Sequence, residues 1–247
     1  MRNRFLPTLA TCIFLSFGTS CRKDEPVPPA SPASPAPAML RVAYVVDGQP
    51  LAFDTLMYTN EGGTVYSVTH LEHYLSELVL IGSGGTPNDT LHGPWYVNAA
   101  NAVDLDLGTL RAGQYSGATI LLGLPPALNV TGALPNTLAN INMAWPDPMG
   151  GGYHFIKFEG HFMAAEVPTG FAMHVGKNEF LPVCIMPGSF TTTGNGGTLK
   201  LTFNLNEVFR TPHTYDLNSG NYSMGSMALM GQLRDNCANA FTMEYQP

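Results

Sequence analysis

Residues 142–163 read Asn142-Met143-Ala144-Trp145-Pro146-Asp147-Pro148-Met149-Gly150-Gly151-Gly152-Tyr153-His154-Phe155-Ile156-Lys157-Phe158-Glu159-Gly160-His161-Phe162-Met163. Two kinds of backbone meet in this stretch. The first half holds two prolines and three consecutive glycines, which suit neither a helix interior nor a central strand. The second half, from Tyr153, alternates in a period of two and predicts a long strand. Strict alternation groups His154 with Ile156, Phe158, Gly160 and Phe162 on one face. Tyr153, Phe155, Lys157, Glu159 and His161 take the other. A loop carrying one of only two tryptophans thus runs directly into a strand that begins with a histidine. Loops held by rigid strands are frequent places for binding residues.

Strand signals continue outward in both directions. Tyr115–Leu124 is rich in leucine and β-branched residues and stops at Pro125-Pro126. Met39–Val46, the Asp47-Gly48 turn and Leu51–Phe53 predict a first strand pair. Val65–Thr69 and Leu75–Ile81 read as strands around a short helical turn at His70–Tyr74. Trp95–Asn98, Phe171–Val175, Leu181–Met186 and Thr198–Leu205 are further strands. Gly132–Met143 reads as loop with a short helix. The period lengthens only near the end, where Met224, Met227, Ala228 and Met230 predict a helix from about Met224 to Ala238 before a closing strand at Phe241–Tyr245. Many short strands with Gly/Pro turns predict an all-β, antiparallel β-sandwich with Greek-key-like connections and one short C-terminal helix.

The ends of the chain concern address rather than fold. Arg2 and Arg4, an apolar run from Phe5 to Phe17, and Gly18-Thr19-Ser20 before Cys21 read as a signal peptide over residues 1–20. Small residues before a cysteine resemble a bacterial lipobox. That resemblance makes Cys21 the lipid attachment site of an outer-membrane lipoprotein in the cell envelope, periplasmic or surface-facing. Ordinary cleavage with a free Cys21 is the alternative. Residues 21–38 form a Pro/Ala/Ser-rich linker suited to an extended stalk, and 39–247 form one domain. Lys23-Asp24-Glu25 resembles a charged surface-export signal of some Bacteroidetes lipoproteins.

Of eleven basic residues, two lie in the signal peptide and no acidic ones do, leaving nine against eighteen acids. That balance excludes a nucleic-acid partner, which needs a basic footprint. Cys184 and Cys237 remain as an even pair. In an oxidising envelope they predict a disulfide, with two buried thiols or a copper thiolate as alternatives.

Histidines are the leading candidates for chemistry, because imidazole is the commonest ligand for borderline metals. Taken alone, His154 reads first as a core residue bonded to a carbonyl, and His174 as a half-buried sheet residue. His70 and His73 sit at a spacing of three. Met143 and Met149, flanking Trp145, are thioether candidates, whereas Met224, Met227 and Met230 read as core filler. No nucleophile–base–acid set, phosphate loop or Cys-x-x-Cys pair occurs, so a binding protein rather than an enzyme is expected.

Taken together, Asn142 to Asp147, Gly150 to His154, Glu159-Gly160 and His174-Val175-Gly176 resemble the MbnP-like copper-binding domain. Leu51–Asp54, Tyr58–Gly63, Tyr74–Ser76, His213–Asp216 and Asn236–Phe241 extend the resemblance over nearly the whole domain. It implies a β-rich domain holding one copper with histidines and a tryptophan oxidised to kynurenine. It also implies a partner resembling a di-haem cytochrome c peroxidase. Carried onto this chain, the metal site is His154, His174 and Trp145. Two rival readings stand beside it. One is a metal-free module binding glycan or protein through Trp95-Tyr96 and Trp145. The other is a redox enzyme using a modified tryptophan.

Overall fold

The computed structural model describes residues 36–101 and 104–247. Cys21, the signal peptide and nearly all of the linker lie outside these residues. The described residues hold thirteen strands: β1 (Ala38–Val46), β2 (Gln49–Pro50), β3 (Tyr58–Thr59), β4 (Val65–Ser83), β5 (Asp89–Leu91), β6 (Trp95–Asn98), β7 (Leu105–Gly108), β8 (Gly113–Leu122), β9 (His154–Ala164), β10 (Val167–Gly176), β11 (Val183–Thr192), β12 (Thr198–Asn204) and β13 (Phe241–Gln246). Two α-helices accompany them, α1 (Leu138–Asn142) and α2 (Met227–Asn236).

The strands form an all-β sandwich. One sheet runs β13-β12-β1-β2 with β7 also on β1, and the other runs β10-β9-β4-β8-β11 with β3, β5 and β6 also on β4. One pairing departs from the antiparallel expectation, since β1 and β12 run parallel. Their partner strands are some 160 positions apart in sequence, so no hairpin signal could reveal the direction. The Asp47-Gly48 turn forms as expected, with φ of 49° and 85° and Val46 paired to Gln49. Both residues adopt the left-handed conformation that tight hairpins require.

The core lies between the sheets. Leu40, Val42 and Tyr44 of β1 and Leu199, Leu201 and Phe203 of β12 bury one alternating face. Opposite them stand Tyr66, Leu71 and His73 of β4 and Ile156, Phe158 and Phe162 of β9. Burying a side chain of this size stabilises the fold by about 1.5–3 kcal/mol.

The helical turn expected at His70–Tyr74 is not formed. β4 runs unbroken through it, and His70, Leu71, Glu72 and His73 pair with Glu159, Phe158, Lys157 and Ile156. Register shifts between Val68 and His70, and again between Ser76 and Val79, break the two-residue period and hide the strand. The C-terminal helix is shorter than expected. Ser226 caps it by accepting from the Leu229 N–H, and a 3-10 turn at Cys237–Asn239 follows it.

Cys184 and Cys237 are both buried free thiols, not the expected disulfide. Cys184 lies on β11, against which the Cys237 turn packs, and burial pushes the Cys237 thiol up to about 12. In so apolar a setting both remain protonated.

Candidate metal centre

The loop leading into β9 is a tight hairpin. The Trp145 N–H donates to the Gly152 carbonyl, the His154 N–H donates to the Met143 carbonyl at 2.7 Å, and Ala144 bridges Tyr153. Three successive residues with positive φ close it: Gly150 at 114°, Gly151 at 68° and Gly152 at 88°. Three L side chains in a row would be strained there. Polar side chains hold its rim. Thr131 accepts from the Gly152 N–H and donates to Asp147, while Asn129 accepts from the Tyr153 N–H.

This hairpin drives Trp145 inward until only 1% of it is exposed. Its Nε1–H donates to the Met149 carbonyl at 3.3 Å. Its six-membered ring lies over Gly176, where an added Cβ would stand 2.4 Å from Cε3. Gly176 is therefore a close-approach glycine. A tryptophan so enclosed offers no stacking platform, which removes it from the glycan-binding reading. The other aromatics of that reading are also committed: Trp95 packs on Gly93, and the Tyr96 hydroxyl donates to Glu72 at 2.6 Å.

His154 does not share a face with Ile156 as strict alternation predicts. Val175 pairs with Ile156, but Gly176 pairs with His154, so Phe155 is an extra residue in β9. Its ring packs where Gly123 lacks a side chain and near Leu181. The bulge turns His154 to the side of the sheet that carries His174. The two imidazoles meet at right angles with centroids 5.0 Å apart, and the Trp145 ring lies 4.7 Å from that of His154. The structure thus brings together the three residues singled out from sequence.

The hydrogen bonds assign the tautomers. The Nδ1 of His154 lies 3.1 Å from the Met143 carbonyl, which only accepts, so Nδ1 carries the proton. The Nε2 of His174 lies 2.7 Å from Oε1 of Glu159, and this bond holds the Glu159 carboxyl below the usual range. An ionised carboxylate only accepts, so Nε2 carries the proton on His174. The lone pairs left are Nε2 of His154 and Nδ1 of His174. The latter is buried with no hydrogen-bond partner. Burial, reinforced by the neighbouring His174, pushes the His154 imidazole down to about 4 and keeps it neutral. A neutral imidazole is the form that binds a metal.

Ser223 fixes the edge of β10 here, accepting from the His174 N–H and donating to its carbonyl, both at 2.6 Å. Sequence reasoning missed Glu159 and Ser223. Glu159 lies diagonal to His174 across the paired strands, a register that only the β9–β10 hairpin sets. No Asn-Gly signal marks that turn, whose corner residues Ala165 and Glu166 have φ of 46° and 71°.

The thioether candidates serve through their backbones. Met143 and Met149 lend carbonyls to His154 and Trp145. Three other histidines are committed elsewhere, and His161 is exposed. His73 bonds Tyr44 at 2.7 Å in the core, His92 pairs with Glu77 and His213 with Asp235. His70 Nε2 lies 3.0 Å from Glu72 without hydrogen-bond alignment. Among the described residues, no group of three or more His, Cys, Asp or Glu side chains is placed to hold a metal ion. What the structure does bring together is an imidazole pair, a donor type that suits copper.

Comparison with known proteins agrees with this architecture. The structure of MbnP from Methylosinus trichosporium superposes with a TM-score of 0.51 at 15% identity, covering 86% of this chain and 99% of that one. At such low identity the likeness speaks for the fold alone. No curated protein sequence matches. The MbnP family profile matches residues 35–227, more than three quarters of the chain. This chain, with its tryptophan hairpin set over a pair of sheet histidines, belongs to the MbnP family.

Proposed function

We propose that this protein binds one copper ion between His154 and His174, under the cover of Trp145, and acts as a carrier or store rather than as a catalyst. The observation that carries the reading is the convergence of two imidazoles, each with one ring nitrogen already engaged. A buried ring nitrogen without a partner costs about 1–3 kcal/mol, a penalty that ligation removes. Copper heads the divalent affinity order and suits imidazole, so a small nitrogen set in a water-poor pocket favours it.

Trp145 enters the reading as a latent third donor. Oxidative opening of its pyrrole ring to kynurenine, with electrons passing to the partner oxidant, water supplying the oxygens and C2 leaving as formate, would place a ketone oxygen and an aniline nitrogen beside His154. The buried seat of the indole argues for an oxidant that removes electrons at a distance, in keeping with a partner of the di-haem peroxidase class. Lipidation at Cys21 would tether the domain to the outer membrane of the cell envelope.

Elemental analysis after copper reconstitution tests the site. Wild type should carry one copper per chain, and the His154→Ala/His174→Ala variant should carry none while keeping its fold. A double variant that retains copper would rule out this pair. Mass spectrometry of the Trp145 peptide from native membranes tests the oxidation. An unmodified peptide leaves binding by imidazoles alone.

A further inference from the structure

We infer that Glu159 is a positioning residue for the copper site, setting the tautomer and the donor strength of His174; the inference rests on the copper reading above. The two imidazoles are oriented by different means. His154 donates to a backbone carbonyl, which is neutral and fixed by the hairpin. His174 donates to a carboxylate at 2.7 Å, a shorter and charge-assisted bond. A carboxylate on the far nitrogen does two things. It confines the proton to Nε2, leaving Nδ1 as the only lone pair, and it raises the basicity of that nitrogen.

The surrounding sheet is arranged to permit this contact. Glu159 pairs directly with Ala172 and His70, while His174 pairs with Lys157. The carboxylate therefore reaches His174 along a diagonal, and the methyl of Ala172 leaves that path clear. Lys157 stands two residues before Glu159 on β9, and His70 stands opposite it on β4. The Nδ1 of His174 is the buried, unpartnered nitrogen, whereas the side chain of Glu159 keeps 34% exposure. The carboxylate thus sits at the rim, removable without opening the core, while the nitrogen it controls points inward.

The full-length protein and its Glu159→Gln and Glu159→Leu variants separate this role from a structural one. Nitrogen-15 spectra of labelled histidine in the metal-free chains read the tautomer. Wild type should show His174 protonated at Nε2; Glu159→Leu should lose that single form, and Glu159→Gln, which can still accept, should keep it. Competition with a chromophoric Cu(I) chelator reads affinity. Glu159→Leu should bind about 10–100-fold more weakly, with Glu159→Gln between it and wild type. Equal affinity and an unchanged tautomer in Glu159→Leu, against a copper-binding wild type, overturn the inference alone. A wild type that takes up no Cu(I) overturns the copper reading itself.

Discussion

Two buried histidines in this molecule share one electrostatic condition and differ in everything else. His73 lies between the sheets, with its Nε2 on the Tyr44 hydroxyl and its ring edge-on to Phe203 and Phe241. His154 lies on the far side of the other sheet, under Trp145. Burial pushes both imidazoles down to about 4. Depressed basicity therefore does not distinguish a site from a core. The difference is what each ring meets. His73 meets apolar rings and one hydroxyl; its Nδ1 is also without a hydrogen-bond partner, but no second imidazole stacks beside its ring. His154 meets a second imidazole whose free nitrogen has no other use.

The comparison can be broken most forcefully by copper content. Replacing His154 and His174 should abolish binding outright, whereas His73→Leu should leave stoichiometry at the wild-type level. Loss of copper on changing His73 alone, in a folded protein, would erase the distinction between the two regions.

Acid stability should sharpen it next. Each buried histidine has a folded pKa of about 4 against an ordinary 6.5. Between those values the unfolded chain binds the proton first, so stability falls as the pH falls. The contribution is fully present above pH 6.5 and fully lost near pH 4. Each group accounts for about 3 kcal/mol at most. Urea titrations of the metal-free protein across this window should show the loss, and His73→Leu should remove roughly half of it. A stability profile flat across the window would contradict the buried, neutral state of both rings.

Gly176→Ala should have a smaller and more local effect. The new methyl would collide with the Trp145 ring, and overpacking of this kind costs about 1–3 kcal/mol. Tryptophan fluorescence should shift as the indole leaves its seat, and copper affinity should fall with it. An unshifted spectrum would mean that the hairpin does not depend on this contact. The equivalent core test, Phe203→Leu beside His73, should lower stability without touching affinity.

The smallest effect should come from the cysteines. Thiol counting in denaturant should find Cys184 and Cys237 both free in protein purified under reducing conditions. Air oxidation should leave both unmodified while the protein stays folded, since neither thiol is exposed and burial raises the pKa of each. Rapid linkage in the folded state would show that the α2–β13 region opens.

Much of the site was legible because its local chemistry is short-range. Two prolines and three glycines force a turn, Trp145 and His154 stand at its two ends, and alternation after Tyr153 predicts β9. His174 was legible as a strand residue and was tied to the others by resemblance to the MbnP family. What could not be read was the face that His154 takes. Period-two counting assigns it to the core with Ile156, and only the extra residue at Phe155 reverses that. The same limit hid β4, where register shifts on either side disguise His70–Tyr74 as a helical turn. Glu159 was present in the right strand, but nothing local pairs it with a residue 15 positions away.

Sequence by itself determined the β-rich class, the hairpin, the acidic balance and the residue types able to bind a soft cation, because these follow from backbone preference and side-chain chemistry within a few residues. Tertiary structure decided which histidine nitrogens remain free, that Trp145 is enclosed and that Glu159 holds His174. Those outcomes depend on strand register and on a single bulge. A register is settled by the sum of all cross-strand packing, so no segment read alone contains it.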